Sequence, residues 1–247
     1  MSRDPVSAGG DAPDGEGSDD GTRPGVDPAR RDAVAERAAA LRARIERTER
    51  DWDHPVSVTA VTKAFDPPIV DLAATCGFDR IGENYAQELL GKVDRLDALG
   101  DRRPQVDFIG RLQSNKVRQL VDVVDLWCSV DRPSLVDEIA KRAPGARILV
   151  QVNSTGEESK GGCDPDAVAD LVRSASQAGL DVRGLMTVGP TDREPDAARP
   201  GFERVRSLVD ELGLSECSMG MSGDLEVAVA AGSTNVRVGT ALFGPRS

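Results

Sequence analysis

Eight short apolar runs, rich in β-branched residues, alternate with helix-patterned segments from residue 56 to residue 242. No feature of the chain restricts its fold more. The strand-like runs are 56–62, 78–83, 106–110, 126–130, 147–153, 182–188, 216–221 and 235–242. Helix patterns lie between them at 67–76, 85–96, 133–141, 166–178, 202–212 and 224–230, and a helix rich in Ala, Arg and Glu precedes them at 28–50. Hairpin turn signals are missing, so successive strands must pair in parallel through helical crossovers. Eight such units close into a (β/α)8 barrel. An open doubly wound sheet is the alternative, but no GxGxxG follows the first strand.

The punctuation agrees with this alternation. Asp66 followed by Pro67 reads as a helix start, Asn84 with Gln87 resembles a capping box, and Gly77, Gly179 and Gly232 stand where helices end. Residues 1–27 are dense in Gly, Asp, Pro and Ser and cannot bury enough apolar surface to offset their ordering entropy, so they are expected to form a disordered acidic tail. Residues 28–247 are expected to form one barrel domain with an extra N-terminal helix.

The net charge of −11 argues against binding to nucleic acid or to anionic membrane surfaces. No run approaches the ~20 apolar residues of a membrane span, and no apolar signal core opens the chain. Cys76, Cys128, Cys163 and Cys217 form no CxxC pair, and the single histidine, His54, cannot complete a usual zinc site with them. They read as reduced packing cysteines of a cytoplasmic protein. One histidine also weakens any hydrolase built on a Ser-His or Cys-His pair.

Barrel chemistry collects at the carboxyl ends of the strands. The first delivers Lys63, the second Glu83, Asn84 and Tyr85, and the third the run Gly110-Arg111-Leu112-Gln113-Ser114-Asn115-Lys116. A lysine closing a buried strand either snorkels to water or has its pKa lowered and acts as a nucleophilic amine. After the seventh strand, Met221, Ser222 and Gly223 run into a helix start. After the eighth, Gly239 allows close approach and Thr240 offers a hydroxyl. Loops at these two strands commonly hold phosphate, although Ser222 could be a plain N-cap and Gly239 a packing position. Arg237 sits inside the last strand, where a buried guanidinium must find an acceptor. That acceptor is either a carboxylate such as Glu83 or a ligand in the barrel mouth. An imine-forming lysine, a phosphate cradle and an arginine between them suggest pyridoxal 5′-phosphate (PLP).

Several ordered motifs carry a resemblance. Ala60-Val61-Thr62-Lys63, Ile81-Gly82-Glu83-Asn84-Tyr85-Ala86-Gln87-Glu88 and Phe108-Ile109-Gly110-Arg111-Leu112-Gln113-Ser114-Asn115-Lys116 resemble the PLP homeostasis protein family. So do the segments 153–162, 183–187 and 218–226, and the run 231–244. The likeness spans residue 30 to the end. It implies a single barrel of the alanine racemase N-terminal domain type. It implies that Lys63 holds PLP as a Schiff base, that Ser222, Gly239 and Thr240 hold the phosphate with backbone help near Met221, that Asn84 lies near the ring, and that Arg237 faces the pyridine nitrogen. The chain departs from the family pattern at Asp107 (commonly His), at Ala64-Phe65 (commonly a second Lys), at Gly162 (often Ser) and at Gly223 (often Asp).

The resemblance implies a carrier and regulator of PLP with no dedicated reaction, handing PLP to apo PLP-dependent enzymes. The rival from another class is an amino-acid racemase of the same fold. That enzyme needs a tyrosine from a further domain of a partner subunit, and here the sole tyrosine, Tyr85, follows the second strand. A sugar-phosphate enzyme with a structural Lys63 is a third reading; it would be colourless where a PLP protein is yellow. Without the domain that builds the racemase dimer, a monomer is expected.

Overall fold

The computed structural model describes residues 27–191 and 194–245. The acidic tail assigned to 1–27 lies, apart from Asp27, outside the described residues. Asp27 itself caps the first helix, its carboxylate accepting from Ala29 N–H at 3.2 Å. The elements in chain order are α1 (Pro28–Arg47), β1 (Ser57–Val61), α2 (Ile69–Thr75), β2 (Arg80–Glu83), α3 (Ala86–Leu90), α4 (Val93–Asp97) and β3 (Gln105–Phe108). Then come α5 (Val117–Leu120), β4 (Leu126–Val130), α6 (Pro133–Arg142), β5 (Arg147–Val152), α7 (Val168–Gln177) and β6 (Asp181–Thr187). The chain closes with α8 (Arg199–Glu211), β7 (Glu216–Ser218), α9 (Leu225–Ala230), β8 (Asn235–Val238) and α10 (Thr240–Phe243). The eight strands pair in sequence order, all parallel, and β8 returns to β1 to close the barrel. The barrel expectation therefore holds, and the open sheet is excluded.

Several expected boundaries move, each for a local reason. The eighth strand ends at Val238 rather than 242, because Gly239 turns the chain into the single helical turn of α10. The expected helix 85–96 is two short helices separated at Gly91-Lys92. Asp66 does not cap α2, whose N-cap is Pro68 with no side-chain bond. The expected capping box at Asn84 is also absent, Tyr85 being the N-cap of α3. The three expected C-terminal glycines do adopt the left-handed conformation, with φ of 75°, 83° and 93° at Gly77, Gly179 and Gly232.

Helix α1 buries Val34, Ala38, Leu41 and Ile45, a stripe of i, i+4, i+7, i+11 spacing. That stripe lies against α9 and α10, and a fork from Arg44 to Glu226 (2.7 and 2.9 Å) fastens it. The remaining helices clothe the barrel, and the outward side chains of the strands join them in one large core. Within the barrel the filling is uneven. A small apolar cluster of Leu126, Cys128, Leu149 and Met186 occupies the β4–β6 side. The opposite side is polar and runs as a chain of hydrogen bonds across five strands. Arg80 Nε (3.0 Å), Gln105 Nε2 (2.7 Å) and Thr59 Oγ1 (2.8 Å) all donate to Asp107. Asn235 Nδ2 donates to Thr59 Oγ1 (3.0 Å), and Ser218 Oγ donates to Asn235 Oδ1 (2.9 Å). Burial pushes the Asp107 carboxyl pKa up against the opposing pull of Arg80.

The four cysteines are free thiols. Burial raises Cys163 to about 11 and Cys217 to about 12, so both are inert at neutral pH, in keeping with packing roles. Among the described residues, no helix is long and apolar enough to cross a membrane.

Candidate functional site at the barrel mouth

Lys63 stands two residues beyond β1, partly buried, inside a tight turn closed by Phe65 N–H donating to Thr62 O (3.3 Å). The next residue, Ala64, is the only non-glycine residue with positive φ (59°) among those described. A left-handed alanine is costly by roughly 1 kcal/mol. The turn persists because Ala64 N–H donates to the Glu88 carboxylate of α3 at 2.7 Å. This strained turn fixes the direction in which the chain leaves β1 with Lys63.

Beneath the turn lies a buried ion pair that sequence reasoning missed. Lys92, 1% exposed, donates to Glu83 Oε1 (2.5 Å) and to the carbonyl of Thr62 (2.8 Å). Thr62 Oγ1 donates to the same carboxylate oxygen at 2.5 Å. Burial still drives the Glu83 pKa upward in spite of Lys92. The pair ties the residue before Lys63 to the residue before Asn84. No sequence signal marks Lys92, which reads as a surface lysine in a short amphipathic segment.

Asn84 is one step beyond β2. The β1–β2 pairing ends at Val61↔Gly82, two residues before each of Lys63 and Asn84. The Asn84 side-chain Oδ1 is buried and has no hydrogen-bond partner. A buried acceptor without a donor is expensive unless a ligand supplies one. Gly110 packs directly on its backbone: a Cβ there would stand 2.5 Å from Asn84 Cα and 2.6 Å from its carbonyl carbon.

Arg237 does not pair with Glu83, which is committed to Lys92; the ion-pair option for this arginine is thereby excluded. Its Nη1 donates to Ser218 O and Oγ, both at 2.8 Å, and its Nη2 to Thr187 O at 2.7 Å. Three of the five guanidinium N–H groups are thus fixed by protein, and among the described residues no acceptor takes the other two. Through Ser218 the arginine joins the polar chain inside the barrel, which locks its plane.

On the last two loops, Ser222 is partly buried, while Gly239 and Thr240 open α10. Gly239 lies against β1, where a Cβ would be 3.1 Å from Val61 O. Met221 is 39% exposed, and its N–H donates to Asp224 Oδ1 at 2.6 Å. An anion reaching that amide must displace the carboxylate. The barrel thus gathers Lys63, Asn84, Arg237, Gly239 and Thr240 on the ends of β1, β2 and β8, with Met221 and Ser222 on the β7 loop.

A closed parallel barrel with a lysine past its first strand and an arginine within its last defines a class. Residues 37–247 match the model of the alanine racemase N-terminal domain, and the chain belongs to that family of barrels. Within it, the chain is a member of the pyridoxal phosphate homeostasis protein family. It is 42% identical to the homeostasis protein of Aquifex aeolicus over 196 residues, 75% of this chain and 85% of that one. It is 38% identical to that of Pseudomonas aeruginosa over 220 residues, 86% and 94% of the two chains. The solved structure of PipY from Synechococcus elongatus with PLP bound is 31% identical, with a TM-score of 0.72 over 85% of this chain and 100% of that one.

Proposed function

We propose that this chain binds PLP in the barrel mouth and serves PLP homeostasis as a carrier and buffer, handing PLP to apo-enzymes without a dedicated reaction of its own. The fixed guanidinium of Arg237, with two N–H groups to spare, is the observation that carries the reading. PLP, when bound, supplies an aldehyde that reacts with amines and a pyridine ring that can withdraw electrons. Lys63 Nζ is the amine. Ser222, Gly239 and Thr240 would hold the phosphate, with the Met221 amide once Asp224 is displaced, and the unpartnered Asn84 Oδ1 would lie beside the ring. Arg237 would face the pyridine nitrogen. A guanidinium does not give up its proton near neutral pH, so the nitrogen stays unprotonated and the ring is a weak electron sink. That arrangement suits holding PLP rather than converting amino acids on it. The family names of the relatives and the PLP-bound PipY structure support the same reading. The barrel of residues 28–247 is the proposed binding unit, acting as a monomer in the cytoplasm.

The test is borohydride reduction of the purified, PLP-loaded wild type, followed by peptide mapping. A reduced adduct on Lys63 is the expected result; an adduct elsewhere, or none, would remove the cofactor assignment. Loaded protein should also restore an apo-enzyme, while amino-acid racemisation should not exceed that of free PLP.

Gly110→Ala tests the placement of Asn84. The added methyl must push the Asn84 backbone, at a cost of about 1–3 kcal/mol. Both the thermal midpoint and PLP affinity should fall. A variant unchanged in both would show that the contact is not limiting.

A further inference from the structure

In the run Gly110-Arg111-Leu112-Gln113-Ser114-Asn115-Lys116, Gly110 supports Asn84 of the site described above, while Arg111, Leu112, Gln113 and Lys116 form one wall of a cavity of about 850 Å³. The cavity opens at the mouth beside Asn84, between the loops that follow β2, β3 and β4. It lies across the mouth from the β7 and β8 loops.

The charge of its lining runs against that of the molecule. The chain carries a net −11, but the ionisable side chains here are Arg111, Lys116 and Arg132 against the single carboxylate of Asp131. Asp131 is already taken by Arg132 at 2.6 Å. Arg132 also donates to Leu112 O (2.8 Å), which pins the loop carrying the other two cations. Among the described residues, Arg111 and Lys116 meet no carboxylate and no other side-chain partner. Buried Phe108 and the exposed ring of Tyr85 add apolar wall. Two uncompensated cations on a pinned loop, inside a concave and partly apolar wall, form a receptor for a compact ligand with two negative charges.

We infer that this cavity binds a small dianion, either a dicarboxylate or a phosphomonoester, as a second ligand beside the Lys63 site. Arg111 supplies a planar fork for an oxyanion, and Lys116 supplies a point charge for the second negative group. The cavity borders the proposed PLP site at Asn84, but Lys63 is not part of its lining, so the Lys63 variant separates the two ligands.

The test is calorimetric titration of the full-length apoprotein at low ionic strength with succinate, glycerol 3-phosphate and acetate. Succinate, glycerol 3-phosphate or both should bind with one-to-one stoichiometry, about tenfold tighter than acetate. The dianion that binds more tightly identifies the ligand class. Arg111→Gln/Lys116→Gln should weaken the dianion by about tenfold or more, with the thermal midpoint and the reducible PLP adduct unchanged. Lys63→Ala should keep full dianion affinity even though it loses the PLP adduct, so failure of one site is separable from failure of the other. Absence of dianion binding, binding no tighter than acetate, binding indifferent to the double substitution, or binding lost with Lys63 would each overturn the inference.

Discussion

Lys63→Ala protein incubated with PLP is expected to remain colourless and to yield no borohydride-fixed adduct at the barrel mouth. The reason is that Lys63 is the amine carried on the turn after β1, whereas Lys116 belongs to the cavity between the β2, β3 and β4 loops. The nearest lysine behind the turn, Lys92, is 1% exposed and bound to Glu83 and Thr62 O, so it has neither the access nor the freedom to react. The phosphate contacts proposed at Ser222, Gly239 and Thr240 and the donor proposed at Arg237 remain, so PLP should still associate weakly and reversibly. Lys63 sits in a partly exposed turn rather than in the core, and the stability change should stay within about 1 kcal/mol. A yellow variant with an adduct on another residue would refute the assignment of Lys63.

The largest effect on stability is expected from Lys92→Met. Removing one partner of a buried ion pair leaves the other charge uncompensated, which typically costs about 3–5 kcal/mol. Here the variant also strips the donor from the Thr62 carbonyl, immediately before Lys63. PLP affinity should therefore fall along with the unfolding midpoint. The loss should depend on pH with a definite sign. Burial already raises the Glu83 pKa, and without Lys92 it rises further. The folded state then binds a proton that the unfolded state releases, so stability increases as pH falls through that raised value. The deficit measured by urea unfolding should be smaller at pH 5 than at pH 8. Lys92→Met/Glu83→Leu, which removes both charges, should recover most of the stability but not the hydrogen bond to Thr62 O. Equal stability of Lys92→Met and wild type would show that the pair is not held as described.

Much of this architecture was legible in the chain, because β-branched runs separated by helix-length segments leave few alternatives. Strands β4 and β5 fall almost where the apolar runs place them. The eighth strand was overextended because Ala241-Leu242-Phe243 is as apolar as a strand, and a short apolar run carries no period that separates a strand from one helical turn. The residues proposed for the site are marked in the sequence by their positions at or beside strand ends. What stayed hidden were the partners. Nothing near Asp107 in sequence announces Arg80, and nothing near Lys92 announces Glu83, because closure of the barrel is what brings each pair together. Asp107, which departs from the family's usual histidine, is accounted for in this way: it is a hub of the interior network rather than a group at the mouth. The empty capping role at Asn84 is a second case, in which a strong local signal fails and Tyr85 is the N-cap of α3.

The closing of β8 onto β1 has a consequence for how the protein is made. Ser57 and Asn235, paired across that seam, are 178 residues apart. Lys63 is therefore synthesised well before Arg237, Gly239 and Thr240. A nascent chain holds this amine long before it holds the residues of the eighth strand and its loop that are proposed to share in gripping PLP. Any product that stops short of the eighth strand would carry Lys63 without the partners proposed to retain PLP.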